Sequence, residues 1–246
     1  LNGTQDADAH VRHDAVKLSI RWINDESIFN RLAELANDKD ASVRFQVTLA
    51  LGDSDRPEAT SVLAALALQD GHDSWFVSGL LTSTRDRSGA VLGVLISNDQ
   101  FTTAGSVARA HLVKQLATVV GVRGDVNELA SLLQSLAGPQ AASSEASGVW
   151  WQAAAISGLG SGLPRYRGEL GRLSLPLLLN NPPDGLKDSA AGMLDLLTQS
   201  QKAALDRKRP AADRASAVEL LAYRPFEEAA PAFEELLETD QPVEVQ

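Results

Sequence analysis

Apolar positions in this chain recur mostly at helical spacing and nowhere alternate over a strand's length. In DASVRFQVTLALG, Val43, Val47, Ala50 and Leu51 form one apolar stripe. Asp40 stands ahead of it as an N-cap, its carboxylate able to accept free amide hydrogens of the first turn, and Gly52 closes the helix. The preceding arrangement is similar: DADAHVRHDAVKLSI, from Asp6 to Ile20, repeats the pattern D-x-D-A-x-V-R. Downstream, RPEATSVLAALALQ places Pro57 in a first helical turn and Val62, Leu63, Leu66 and Ala67 at helical spacing.

Aligning the two copies sets Asp6 on Asp38, Asp8 on Asp40, Val11 on Val43 and Arg12 on Arg44, an offset of 32 residues. DGHDSWFVSGLLTS continues the series with Val77 in the arginine position, and Arg109 follows in SVARAHLVKQLATVVG. At the other end DQPVEVQ sets Asp240, Val245 and Gln246 in register, and counting back the same 32 residues lands on Arg214. A period in this range marks a solenoid, in which a helix pair cannot bury its apolar face alone and stacks on its neighbours. The middle is less regular. A helix is expected from about Asp125 to Ala137, then an insertion near 138–148 with a Ser/Ala-rich loop, Pro139 to Gly148, then the helix VWWQAAAISGLG. A short helix is expected around Arg167 to Leu179, followed by LKDSAAGMLDLLTQ, RASAVELLAY and AAPAFEELLET. The sum is roughly seven helix pairs and no strand.

D-x-x-V-R at the head of the second helix, Asp8 to Arg12 and Asp40 to Arg44, resembles the HEAT repeat, including its short phycobilisome-lyase-type form. The resemblance implies a right-handed all-α superhelix, one HEAT/armadillo-like solenoid over 1–246, with inner helices lining a concave surface. It also implies that Asp40 and Arg44 tie adjacent repeats together. Asp40 to Ser83 and Trp150 to Leu163 are similar to a narrower group: HEAT-like segments of large bacterial proteins, set between a sugar-dehydrogenase-like propeller and a c-type cytochrome module. That resemblance implies a periplasmic or cell-envelope setting and transfers no catalytic residue. The repeat starting at a second helix and stopping just into another makes the chain read as an excised segment, with Val245 exposed and nothing to pack on.

Composition narrows the chemistry. A formal net charge of -10 sets the field against a phosphate backbone, so nucleic acid is not an expected partner. No cysteine is present, which excludes disulfides, thiolate metal sites, thiol catalysis and covalent haem attachment within these residues. No apolar run reaches the roughly 18 residues a membrane span needs.

Among candidate sites, His10 and His13 share a helix face but lack a carboxylate at compelling spacing for a metal. GLGSGLP, Gly158 to Pro164, follows a helix and not a strand, so a helix end and turn is expected there, not a phosphate loop. Trp150 and Trp151 diverge by about 100° on a helix, so one packs inward and the other reaches a groove. Arg165, Arg167 and Arg172, and Lys202, Arg207, Lys208 and Arg209, read as solvated helix ends. The acidic tail from Glu227 to Glu244 reads as a solvated face that would also suit a basic partner. The reading is a non-catalytic scaffold without cofactor or metal, docking a protein partner or neighbouring domains of its own polypeptide. Partner-binding candidates are Arg12, Arg44, Gln46, Arg109, Trp151 and Gln152. The alternatives are a spacer in a periplasmic redox protein and a HEAT-like enzyme, either a DNA glycosylase or a tetrapyrrole lyase. The net charge weighs against the glycosylase.

Overall fold

Four aspartates start the helices of the first part of the chain. In a computed structural model that describes residues 2–138, 149–168, 171–238 and 240–245, Asp8, Asp25, Asp40 and Asp73 each take extended backbone angles. Each then turns its carboxylate onto an amide of the first turn: His10 at 2.8 Å, Ser27 at 2.9 Å, Ser42 at 2.8 Å and Phe76 at 2.8 Å. The helices they open are α1 (Ala9–Ser19), α2 (Glu26–Leu35), α3 (Ala41–Leu51) and α5 (Ser74–Ser83); α4 (Ala59–Asp70) and α6 (Ser88–Ile96) lie between and after.

The chain divides into two compact units, Leu1–Leu95 and Ile96–Gln246. In the first, α1, α3 and α5 stack side by side as second helices, and α2 and α4 fold back against α3. The core is the expected stripe: Val43, Val47, Ala50 and Leu51 are completely buried, joined by Val16, Leu32, Leu63, Leu66 and Leu80. Each of these valines and leucines contributes about 1.5–3 kcal/mol on leaving water. Gly52 ends α3 with ordinary helical angles, so it is not needed for a left-handed turn. Its role is close approach, because a Cβ there would stand 2.8 Å from the Ser83 Cα.

The second unit contains α7 (Asp99–Thr103), α8 (Val107–Arg123), α9 (Val126–Ala137), α10 (Val149–Gly162), α11 (Leu175–Asn180), α12 (Lys187–Leu205), α13 (Ala211–Leu221) and α14 (Phe226–Leu236). That makes fourteen α-helices and no strand among the described residues. The count agrees with seven pairs, although α7 and α11 span only five and six residues. The most intimate pair is α8 with α10; α10 also packs on α13, and α12 on α9, α13 and α14.

Three expectations change here. The helix end and turn expected at GLGSGLP come late in it: Gly158 and Gly160 run inside α10, Gly162 is its last residue and a 3-10 turn follows over Leu163–Arg165, while Gly158 and Gly162 let α10 press against α8. A Cβ on Gly158 would meet the Lys114 carbonyl oxygen at 2.3 Å, and one on Gly162 the Thr118 carbonyl oxygen at 2.3 Å. The helix expected around Arg167 to Leu179 is confined to α11, because Ser174 caps it, accepting from the Leu177 amide at 3.3 Å, and Pro176 fits its first turn. Val245 is buried, not exposed: it closes a cluster with Ala204, Ala217, Leu221, Ala232 and Leu236. The Pro139–Gly148 loop and Gln246 lie outside the described residues.

Candidate interaction surface

The arginines of the repeat are frame members. Arg12 is bound by the Asp38 carboxylate through two bonds of 2.7 Å, and its third arm donates to the carbonyls of Asp6 and Ala7. One period later Arg44 donates to Asp70 at 2.7 and 2.6 Å and to the Asp38 carbonyl at 2.7 Å. Both bridges span 26 residues, from a second helix to the turn after α2 for Asp38 and to the last residue of α4 for Asp70. Asp40, expected as a rung, is occupied as the α3 cap, so the rung carboxylates are Asp38 and Asp70. In the second unit Arg214 keeps the position with a neutral partner: it donates to the Gln241 side chain at 2.6 Å and to the Ala204 carbonyl at 2.8 Å.

Arg12, Arg44 and Gln46 are buried, not on an exposed inner face as expected; the two arginines turn toward the carboxylates of the next repeat. Arg109 is half-buried and ties off the end of α7, donating to the carbonyls of Gln100, Phe101 and Ala104. Gln152 is buried and donates to the Leu136 carbonyl at 2.9 Å, satisfying a free acceptor at the end of α9. Trp151 is buried and Trp150 is the one at a groove, the divergence expected of helical neighbours. Trp150 donates its Nε1 hydrogen to the Thr102 carbonyl at 2.8 Å, and its ring centre lies 5.8 Å from that of Phe101. The groove beside it, about 470 Å³, is lined also by Gly105, Val107, Asp213 and Ser216.

The Arg12 guanidinium, hydrogen-bonded to Asp38, holds that carboxyl below the ordinary carboxylate range. A folded-state pKa below the unfolded one means that the fold binds this proton more weakly than the open chain does. The resulting stability is complete above about pH 5 and drains away as pH falls through the carboxylate range toward the folded value. Asp8, Asp25 and Asp40 are lowered as well, chiefly by bonds to their own helix starts. Urea titrations at a series of pH values should show the midpoint falling between about pH 5 and pH 3, with a shallower fall in Asp38→Asn. An equal slope in the two proteins would refute the assignment.

What the stacked helices do expose is a register that the candidate residues missed. His10, Ser42 and Trp75 occupy one level of α1, α3 and α5; His13, Phe45 and Ser78 the next; Lys17, Leu49 and Thr82 the third. All nine are exposed or half-exposed. Trp75 stands out at 81% exposure. Phe45 leans over α5, its ring 6.2 Å from that of Phe76, in space that a Cβ on Gly79 would fill at 2.4 Å. Carrying the repeat forward from His10, by 32 residues to α3 and by 33 to α5, finds this stripe without a structure.

His10 and His13 hydrogen-bond to their neighbours Asp8 and Asp14 at 3.3 and 3.1 Å, and no cluster of potential metal ligands occurs among the described residues. Arg207 is held by Glu238 and Asp240, so the basic segment and the acidic tail meet within the second unit. No described helix is long and apolar enough to cross a membrane.

Fold and frame together define an α-solenoid of HEAT-like helical repeats. The HEAT-repeat family model matches residues 1–78, a stretch that holds both ionic rungs and Trp75. HEAT repeats are typically non-catalytic and commonly mediate protein interactions. No curated protein and no solved structure matches the chain.

Proposed function

We propose that the chain, over 1–246, is a non-catalytic scaffold that binds a protein partner or a neighbouring domain of its own polypeptide. In the first unit the contact surface is the exposed stripe of α1, α3 and α5. The observation that carries this is Trp75, an indole left 81% exposed beside the buried Phe76 and Val77. Tryptophan is enriched among residues that dominate interface energy, and the partly covered Phe45 and Leu49 extend its apolar surface. The rung arginines contribute indirectly, by holding the three helices in register. The net charge of -10 favours a partner with basic groups and disfavours nucleic acid.

The test is comparative affinity capture from the source cells with the full chain, Trp75→Ala and Val122→Ala as a surface control. A specific partner should be retained by the control and weakened about 30-fold or more in Trp75→Ala, the size of a hot-spot truncation. Identical partner profiles for all three chains would refute the reading.

A second reading, implied by the sequence resemblance of Asp40–Ser83 and Trp150–Leu163 alone, is a spacer in a periplasmic or envelope redox protein. Sequencing the flanking reading frame decides it. A propeller upstream and a C-x-x-C-H motif downstream would support the spacer, and plain repeats on both sides would sink it.

A further inference from the structure

Trp150 is fixed in place from several directions. Its indole N–H donates to the Thr102 carbonyl at 2.8 Å, the Phe101 ring meets it at an angle of 57°, and a Cβ on Gly105 would stand 2.9 Å from its Cδ1. The ring is nevertheless only half-buried, and it lines the groove of about 470 Å³, a volume within the range of ligand clefts. An aromatic surface fixed in advance loses little freedom when a ligand settles on it.

The helix α13 supplies another wall of this groove. Asp213, half-exposed in the first turn of α13, is the one charged side chain lining the groove among the described residues, and none of them bonds its carboxylate. Nor does α13 use it as a cap, since the helix starts after Pro210 with no side-chain cap. The two serines of the groove are engaged: Ser106 accepts from the Arg109 amide at 3.2 Å, and Ser216 donates to the Ala212 carbonyl at 3.1 Å. The groove thus offers an aromatic ring and an unpaired carboxylate.

That combination selects a flat cation. Aromatic faces attract cations through the ring quadrupole, guanidinium more often than ammonium. A guanidinium also stacks on the ring while presenting a fork of N–H donors to a carboxylate, which an ammonium cannot do. Val107, beside them, is 89% exposed. The residues flanking an arginine in a polypeptide would cover it, whereas a small guanidinium compound would leave it in water.

We infer that this groove takes an arginine side chain from a protein segment, its guanidinium stacked on Trp150 and paired with the Asp213 carboxylate, its apolar neighbours lying over Val107. The inference rests on the scaffold reading for the source of the arginine and uses no residue of the Trp75 stripe.

The test follows the Trp150 indole N–H of the full chain by NMR, the signal being identified by its loss in Trp150→Phe. The probe is a capped tripeptide with arginine between two leucines. It is set against the same peptide with citrulline, the same peptide with lysine, and N-acetylarginine amide without flanks. The arginine peptide should shift the signal saturably, and the citrulline peptide, close in shape but uncharged, should bind about tenfold more weakly. Asp213→Asn should weaken the arginine peptide by about the same factor, and Trp75→Ala should leave it unchanged. No shift with the arginine peptide, equal affinity for citrulline or lysine, or full affinity in Asp213→Asn would overturn the proposal. N-acetylarginine amide binding as tightly as the peptide would overturn the protein source, and a loss in Trp75→Ala would place the peptide on the stripe instead. Because the titration reads the groove and the capture experiment reads Trp75, the two readings fail separately.

Discussion

Asp70→Ala should destabilise the first unit by about 3–5 kcal/mol, the cost of stranding a buried guanidinium. The side chains of Arg44 and Asp70 are each only 10% exposed and bind through two short bonds. Removing the carboxylate leaves Arg44 with the Asp38 carbonyl as its remaining acceptor. Replacing both partners, Arg44→Met with Asp70→Leu, should recover most of the loss, because an apolar pair of similar volume carries no uncompensated charge. Urea denaturation of the two single variants and the double closes a thermodynamic cycle. Additive losses would show that the two side chains act independently and that the rung is not the unit of stability.

The second large effect belongs to the α8–α10 contact. Gly158→Ala should cost about 3 kcal/mol, at the upper end of the range for overpacking, because what its Cβ would strike at 2.3 Å is the Lys114 backbone carbonyl, not the tip of a side chain. Gly93→Ala provides the opposite sign. It lies within α6 with nothing near the position of its Cβ, so alanine should stabilise by about 0.5–1 kcal/mol through helix propensity alone. Thermal unfolding of the two variants should move the midpoint in opposite directions. A downward shift for Gly93→Ala, or none for Gly158→Ala, would contradict the packing described.

Most of the frame was legible in the sequence, because its information is local and repeats. An aspartate ahead of an apolar stripe sets a helix start, and a 32-residue offset sets the stacking. What escaped depends on partners distant along the chain. Gly158 reads as a helix end when only its neighbours are considered; its reason is Lys114, on another helix. By residue type Arg12 and Arg44 look like surface groups; the HEAT resemblance implies a rung at Arg44 but pairs it with Asp40, and only Asp38 and Asp70 account for the burial of the two arginines. Val245 looks stranded until α12, α13 and α14 are seen to enclose it. The exposed stripe is hard to read for a different reason: a surface register is defined by positions whose residue types do not recur, such as His10, Ser42 and Trp75.

The 26-residue span of the rungs has a consequence for how the chain assembles. Contacts this close in sequence carry a small loop-closure cost and place the fold among the fast topologies. Arg12 finds Asp38 as soon as one further helix has formed, and Arg44 finds Asp70 one helix pair later. During synthesis the first unit is thus free to build from its leading end, each rung closing before the next repeat has emerged.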